Sequence, residues 1–158
     1  YMVAEDDSTP ANLQASVSSA PFSTLDSTAP SFIANFPDVA NVEETSTDVL
    51  VQLDEPGQVW FVILPAAATP PTVADVIAGT DPDGVSVDLG GPIAVTAADT
   101  TVEIPADGLS PETEFVIYMV AEDDSIPANR QATVDSKAFW TPDTTEPAFV
   151  ATFPDVDN

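Results

Sequence analysis

The chain has 158 residues, of which 27 are acidic and only two, Arg130 and Lys137, are basic; it contains neither histidine nor cysteine. A net charge of −25 repels nucleic-acid phosphates and anionic membrane surfaces, because binding to either requires Lys and Arg side chains. The missing cysteines exclude disulfides and thiolate chemistry, and no apolar run is long enough for membrane insertion. Nevertheless 44% of the residues are hydrophobic and recur in alternating runs, which predicts a folded domain with an acidic surface.

The first segment of the chain returns near its end. The letters "YMVAEDDS" stand at residues 1–8 and again at 118–125, and residues 1–41 align without gaps with residues 118–158. Roughly two-thirds of the matched positions are identical, which is typical of tandem repeats. The chain opens on an apolar run without an initiator Met or a targeting segment. We therefore expect it to be a window from a longer repetitive polypeptide.

Short extended segments separated by turn signals follow from residue 30 onwards. Residues 31–36 are predicted to form a first strand after a proline. In residues 47–53 the apolar side chains alternate with polar ones, as in a half-buried strand. After the turn "DEPGQ", residues 59–64 are apolar on both faces, which predicts a central strand.

One short helix is predicted within "TVADVIAG". Thr72 is placed to cap its N-terminus, Asp75 to complete a capping box, and Gly79 to end it. An apolar stripe of three side chains lies along one side of this helix: Val73, Val76 and Ile77.

The remaining segments are again extended. After a turn at "DPDG", strands are predicted near 85–89, 92–96 and 100–104. Residues 114–122 give the strongest strand pattern, and residues 131–140 alternate to the end of the period. Seven or so short strands within one 117-residue period predict an all-β sandwich.

The segment "LSPETEFVIYMVAEDD", which starts at Leu109, resembles the E–F corner and F strand of fibronectin type III domains. The whole period, with its "VQLDEPGQVWFVIL" strands and "VADVIAGTDPDG" insert, is similar to divergent fibronectin type III-like repeats of large bacterial and some algal surface proteins. The resemblance implies a fibronectin type III/immunoglobulin-like β-sandwich with one short helix inserted after strand C, in tandem repeats. Phe115 departs from it, because a corner tyrosine is expected there; packing and Pro111 are expected to hold the corner instead.

This framework divides the chain into three parts. Residues 1–29 are predicted to be the C-terminal F–G end of a preceding repeat, residues 30–146 one complete β-sandwich repeat, and residues 147–158 the first strand of the next repeat. Residues 1–29 should then fold as residues 118–146 do, with Pro10 and Pro127 both in the F–G loop, where no ladder hydrogen bond is required of them.

The resemblance implies a structural function. We expect a tandem-repeat segment of a filament or adhesin stalk, extracellular or on the cell surface, that provides spacing and stiffness and has neighbouring copies as its partners. The alternative is a recognition module that binds a glycan or a protein, with Trp140 and Tyr118 able to stack on a sugar. No enzyme is expected, because a Ser–Lys pair would need Lys137, whose counterpart in the other copy is Ala20.

Acidic residues are predicted to meet where one repeat joins the next, because the B–C and F–G loops share a pole with the incoming linker. The expected function requires no cofactor, but clustered carboxylates are the ligands that Ca²⁺ takes. "DPDG" at Asp81 is a second candidate, without the downstream Glu of an EF-hand loop. The predicted calcium ligands at the repeat junction are Asp26, Asp54, Glu55, Glu122, Asp123 and Asp124.

Two strands with apolar residues on both faces predict a further contact surface. If one set of alternate side chains faces the core, the other set forms an outer patch: Trp60, Val62, Leu64, Val116, Tyr118 and Val120. Each large side chain gains roughly 1.5–3 kcal/mol on burial, so the patch needs a cover. The helix stripe is expected to cover most of the patch, and a neighbouring repeat or fibre strand the remainder.

Overall fold

The computed structural model describes residues 1–85 and 89–149, and these form two antiparallel sheets and one short helix. The elements in chain order are β1 (Asp38–Ala40), β2 (Ser46–Val51), β3 (Gly57–Pro65), α1 (Val73–Ala78), β4 (Leu89–Val95), β5 (Val102–Asp107), β6 (Glu114–Asp123) and β7 (Asp135–Trp140). One sheet has the strand order β1-β2-β5 and the other β4-β3-β6-β7. Both contribute buried side chains to one hydrophobic core, which is the arrangement of a β-sandwich.

The alternation predicted for β2 is present in the structure. Thr47, Val49, Val51 and Leu53 are all buried on the inner face. From the other sheet, β3 and β6 bring alternate side chains to the same core: Val59, Phe61, Phe115, Ile117 and Met119. The period of two along each strand therefore decides which residues form the core.

The strand predicted at residues 31–36 is wrong. Only Phe32 forms an isolated bridge, opposite Leu53, and the chain then makes a turn in which Asn35 has φ of 77°. The first strand begins at Asp38, after this turn. An apolar segment after a proline favours an extended conformation, whereas the left-handed Asn35 redirects the backbone before a ladder can form.

The strand predicted near 92–96 corresponds to β4, whereas residues 86–88 of the segment predicted near 85–89 lie outside the described part of the chain. The ladder between β3 and β4 has a bulge next to Trp60. Gly91 lies there with φ of 134°, and a Cβ atom at this position would be 2.8 Å from the Cα atom of Trp60. Only glycine accommodates this close approach of two backbones.

The helix α1 begins and ends as the sequence predicts. Thr72 accepts a hydrogen bond from the Asp75 backbone, and the Asp75 carboxylate accepts one from the Thr72 backbone, which completes a capping box. Gly79 ends the helix in the left-handed conformation, with φ of 69°. Val76, in the middle of the stripe, is buried against the outer face of the four-stranded sheet.

The corner before β6 is held by a contact that the sequence did not predict. Phe115 is buried in the core and has no hydroxyl to offer. Instead, the buried Thr141 hydroxyl donates to the carbonyl of Ser110 over 2.6 Å and accepts from the backbone N–H of Thr113 over 3.1 Å. The carbonyl of Pro111 accepts only from the Thr113 hydroxyl, so the corner depends on more than packing.

Residues 1–18 form a hairpin with the pairing of β6 and β7. Met2 lies opposite Ser18 and Glu5 opposite Leu13, and the residues 117 positions later are paired in the same way. The loops agree as well, since the Asp6 carboxylate accepts hydrogen bonds from the backbone and side chain of Asn12, as the buried Asp123 does from Asn129. Each loop also contains its proline, Pro10 or Pro127, after a cis peptide bond.

The two hairpins differ in what covers them. Met2 is 75% exposed, whereas Met119 at the equivalent position is fully buried against β3. Phe22 is 91% exposed, whereas Phe139 is 8% exposed. The first hairpin therefore has the backbone pairing of a sandwich edge but no second sheet against its apolar face.

Candidate metal site at the linker junction

The linker that precedes the sandwich is attached to one of its poles. Pro30 is buried, and its carbonyl accepts a hydrogen bond from the Gln131 side chain over 3.0 Å. The backbone N–H of Ser31 donates to the Asp54 carboxylate over 2.7 Å, and the Asp54 N–H donates back to the Ser31 carbonyl. These contacts bring the linker beside the β2–β3 turn and the β6–β7 loop.

Three of the six predicted calcium ligands lie together at this pole. Asp26 from the linker, Glu55 from the β2–β3 turn and Asp123 from the end of β6 each place a carboxylate oxygen within 4.8 Å of the other two. These residues are separated widely in the sequence, so the cluster depends on how the linker docks. Asp54 lies next to the cluster, but its carboxylate is engaged by Ser31.

The other two predicted ligands have different positions. Glu122 forms an ion pair with Arg130 over 2.6 Å and accepts a hydrogen bond from Gln58 over 3.0 Å. Because neighbouring residues of a strand point to opposite faces, Glu122 and Asp123 belong to different sides of the sheet. Asp124 contributes its charge to the surroundings of Glu55.

The cluster carries an electrostatic penalty, which is largest at Glu55. Burial raises the pKa of Glu55, and the charges of Asp26, Asp54, Asp123 and Asp124 raise it further. Burial also raises the pKa of Asp123, but the hydrogen bonds from Asn129 and Ser125 outweigh it, and the pKa of Asp123 is lowered. At neutral pH the pole therefore holds several carboxylates at short range with no cation of the protein between them.

The chemistry of these donors fits a hard cation. Ca²⁺ takes six to eight oxygen ligands, and three carboxylates with water completing the shell would form a partly hydrated site. The Asp123 oxygens already accept hydrogen bonds from Ser125 and Asn129, which limits what this side chain can offer an ion. Glu55 and Asp26 would then be the principal ligands. At the second candidate, the Asp81 carboxylate accepts from the backbone of Asp83 and Val85 and closes a turn.

The predicted outer patch is partly covered by α1. Val62, Leu64 and Val120 are buried in one cluster with Val76. The other three patch residues are half-buried: Trp60, Val116 and Tyr118. The Arg130 guanidinium lies 5.5 Å from the centre of the Trp60 ring and shields part of it. Three of the six patch residues are thus buried with the helix, and the other three remain partly exposed.

The two aromatic residues considered for sugar stacking differ in exposure. Trp140 at the end of β7 is 58% exposed, while Tyr118 is half-buried. By the register of β6 and β7, Trp140 lies opposite Glu114 and Tyr118 opposite Ser136, which places both aromatic side chains on the outer face.

A second set of polar contacts, which the sequence does not predict, lies at the opposite pole. There the outgoing linker runs along the β1–β2 turn, and the Glu44 carboxylate accepts hydrogen bonds from Thr144 and Thr145. A single Glu in a turn has no pattern that would mark it as a partner for residues 100 positions later.

Comparisons with known proteins give little for this chain. No protein-family model matches it, and no curated protein matches it. Among solved structures, it is similar to the sensor domain of the anti-sigma factor RsgI4 of Pseudobacteroides cellulosolvens, with a TM-score of 0.41 and 9% sequence identity, over 77% of this chain and 97% of that one. The similarity is too distant to assign a family or a function. No helix in the described segments has the length and hydrophobicity needed to span a membrane.

Proposed function

We propose that this chain is a segment of a tandem array of fibronectin type III-like sandwiches, which acts as a structural filament or adhesin stalk outside the cell or on its surface. The observation that carries the proposal is the hairpin of residues 1–18. Its two bridges and its Asp6 loop repeat those of β6 and β7 at an offset of 117 residues, while its apolar face is open to solvent. A lone hairpin of this kind is marginally stable in water.

The natural cover for this hairpin is a sandwich like the one that follows it. β6 pairs with β3 along its whole length, and Met119 lies opposite Phe61. By the same register, Met2 would lie opposite the equivalent phenylalanine of a preceding repeat. Residues 1–29 then complete that repeat, residues 30–146 form the next, and residues 147–158 begin a third, although residues 150–158 lie outside the described part of the chain.

Fibronectin type III-like identity is part of the proposal. The division into three and four strands, and the Leu109–Phe115 corner that leads into the strongest strand, support it. The helix α1 follows β3, where the resemblance implies an insert after strand C. The departure at Phe115 is compensated by Thr141, which holds the corner from the neighbouring strand end.

Calcium belongs to the proposal as a stabiliser of the junction. Asp26 comes from the linker, whereas Glu55 and Asp123 come from the following sandwich. An ion bound between them would offset their repulsion and would fix the linker to the pole, so that it would stiffen the array.

Partial proteolysis of the native material tests the array. Linkers between folded sandwiches are the exposed segments, so brief digestion should give a ladder of fragments whose lengths differ by 117 residues. Antibodies against residues 30–146 should label the surface of intact cells. A single product of one sandwich joined to unrelated domains would contradict the array, and labelling only after permeabilisation would contradict the location.

A recognition module that binds a glycan is the second candidate, because Trp140 presents 58% of its surface on the outer face. Titration of soluble oligosaccharides against tryptophan fluorescence distinguishes the two. The stalk predicts no saturable change, whereas recognition predicts one that Trp140→Ala abolishes.

A further inference from the structure

The linker that leaves the sandwich is docked along it. Thr141 is completely buried, and its backbone N–H donates to the Thr113 carbonyl over 3.1 Å while its hydroxyl reaches Ser110. Next, the Thr144 hydroxyl and backbone N–H both donate to one oxygen of Glu44; the hydroxyl contact measures 2.7 Å. Glu44 lies in the turn between β1 and β2 of the three-stranded sheet, whereas Thr141 follows β7 of the four-stranded sheet, so the linker bridges the two sheets at the outgoing pole.

The docking continues for one more residue. The Thr145 hydroxyl donates to the same Glu44 oxygen over 3.1 Å, and its backbone N–H donates to the Asp143 carboxylate over 2.8 Å. The incoming linker contains the same turn, in which the Thr28 N–H donates to Asp26 over 3.0 Å. This one turn of the linker is therefore present in both copies, 117 residues apart.

The incoming linker is fixed to the following sandwich at the next positions. Pro30, which is equivalent to Pro147, is buried and bound through its carbonyl to Gln131. Ser31 is bound to Asp54 through two hydrogen bonds. The backbone of the linker up to Thr28 thus corresponds to the part that docks on the preceding sandwich, and the part from Pro30 docks on the following one. The Asp26 carboxylate also reaches Glu55 and Asp123 of the following sandwich.

We propose that consecutive repeats are joined by a hinge of one residue, Glu146 in one junction and Ala29 in the other. The inference rests on the tandem array proposed above, since it superimposes the docking seen at the two ends of one sandwich. The hinge residue precedes a proline, which disfavours the helical region and leaves mainly extended conformations. The angle between repeats is then set by two docked surfaces, the Glu44 turn of one repeat and the Asp54–Gln131 pole of the next.

Glu44 is the residue through which this proposal can be tested in the chain itself. In the ¹⁵N-labelled protein of 158 residues, amide exchange and the heteronuclear NOE of Thr144 report whether the linker is docked. We expect wild-type Thr144 to be as rigid as β7, and we expect Glu44→Ala to accelerate its exchange by about tenfold or more. Glu44→Gln keeps an acceptor oxygen and should retain most of the protection, and the neighbouring Glu43→Ala should change nothing.

The docking of the incoming linker on the following sandwich can be tested in the same way. Asp54→Ala should accelerate exchange of the Ser31 amide and leave Thr144 unaffected. The hinge is overturned if Thr144 is already as mobile as a free linker in the wild type, or if it stays rigid in Glu44→Ala. These measurements concern docking within one chain, so their failure would leave the array proposal intact. Single globular particles in electron micrographs of the native material, together with a rigid Thr144, would overturn the array and the hinge between repeats, while the docking of the linker on Glu44 would stand.

Discussion

The hydroxyl of Thr141 donates a hydrogen bond to the carbonyl of Ser110 over 2.6 Å, and this contact joins the end of β7 to the corner before β6. The same oxygen accepts from the Thr113 N–H, so the group is buried with its partners in place. Thr141→Val keeps the shape but removes these hydrogen bonds. We expect the free energy of unfolding in urea to fall by about 1–3 kcal/mol. Thr141→Ser, which keeps the hydroxyl, should lose clearly less, and equal losses would mean that packing alone holds the corner.

A charged side chain in the middle of α1 should disrupt the packing of the helix on the four-stranded sheet. Val76 is 1% exposed and packs in the cluster that covers Val62 and Val120. Val76→Asp should therefore lower the free energy of unfolding by about 3 kcal/mol or more, because the carboxylate is desolvated without a partner. Ala74→Asp, on the exposed side of the helix, is the matched control. If Val76→Asp left the monomer stable but abolished assembly, a neighbouring repeat rather than α1 would be the cover.

The parts of the fold that the sequence predicts are those set by local periodicity and capping. The alternation in β2 and the Thr72–Asp75 capping box each depend on neighbouring residues, and both are present. The strand at 31–36 failed because a left-handed Asn35 turns the chain, which periodicity does not register.

Contacts between residues that lie far apart in the sequence are the part of the site that is hardest to predict from the sequence. Asp26, Glu55 and Asp123 were predicted to meet only because a shared pole was assumed from the resemblance. Glu122 was grouped with them by sequence proximity, although strand alternation and Arg130 take it to the other face. Glu44 offered no signal, because its partners lie 100 and 101 residues away.

Glu55→Gln should have opposite effects with and without calcium. Burial and then the neighbouring carboxylates raise the folded-state pKa of Glu55, so the folded state binds its proton more tightly than the unfolded state does. Stability contributed by this group is therefore present at low pH and is lost as pH rises through the raised pKa. In chelator at neutral pH, Glu55→Gln should raise Tm and flatten that decline.

In the presence of calcium, the wild type should have a higher Tm than Glu55→Gln, which is the reverse of the order in chelator. At a free concentration roughly 100 times its dissociation constant, the ion should stabilise the wild type by about 2.7 kcal/mol, and Glu55→Gln by much less. Glu103→Gln, at an exposed carboxylate of β5 outside the cluster, serves as the control for calcium dependence. Identical Tm values for the wild type in calcium and in chelator would contradict calcium binding at the linker junction.

The two equivalent loops should respond differently to the same substitution. Asp123→Ala leaves the half-buried donors of Asn129 and Ser125 without their acceptor and should destabilise the sandwich by about 1–3 kcal/mol. Asp6→Ala should abolish only the exchange protection of the first hairpin and leave the main unfolding transition unchanged. Cooperative loss of the whole fold in Asp6→Ala would contradict the independence of the two hairpins.

Lowering the pH should destabilise both the Asp6 loop and the Asp123 loop. Hydrogen bonds from Asn12 and Ser8 lower the pKa of Asp6, and those from Asn129 and Ser125 lower that of Asp123 against the effect of burial. Stability from a lowered pKa is present above the ordinary carboxyl range near pH 4 and is lost as pH falls through the folded-state value. NMR signals of both loops should therefore persist at pH 4 and disappear only in stronger acid. Loss of either loop above pH 5 would contradict these hydrogen bonds.

Electron microscopy of the native material tests the tandem stalk most directly. The ten-residue strand β6 spans about 33 Å at the rise of an antiparallel strand, so a sandwich with its joint should repeat roughly every 40 Å along a thread. If the chain is part of a tandem stalk, we expect unbranched threads of beads at that spacing, with little bending at each joint. Isolated globular particles, or one sandwich at the tip of an unrelated shaft, would contradict it.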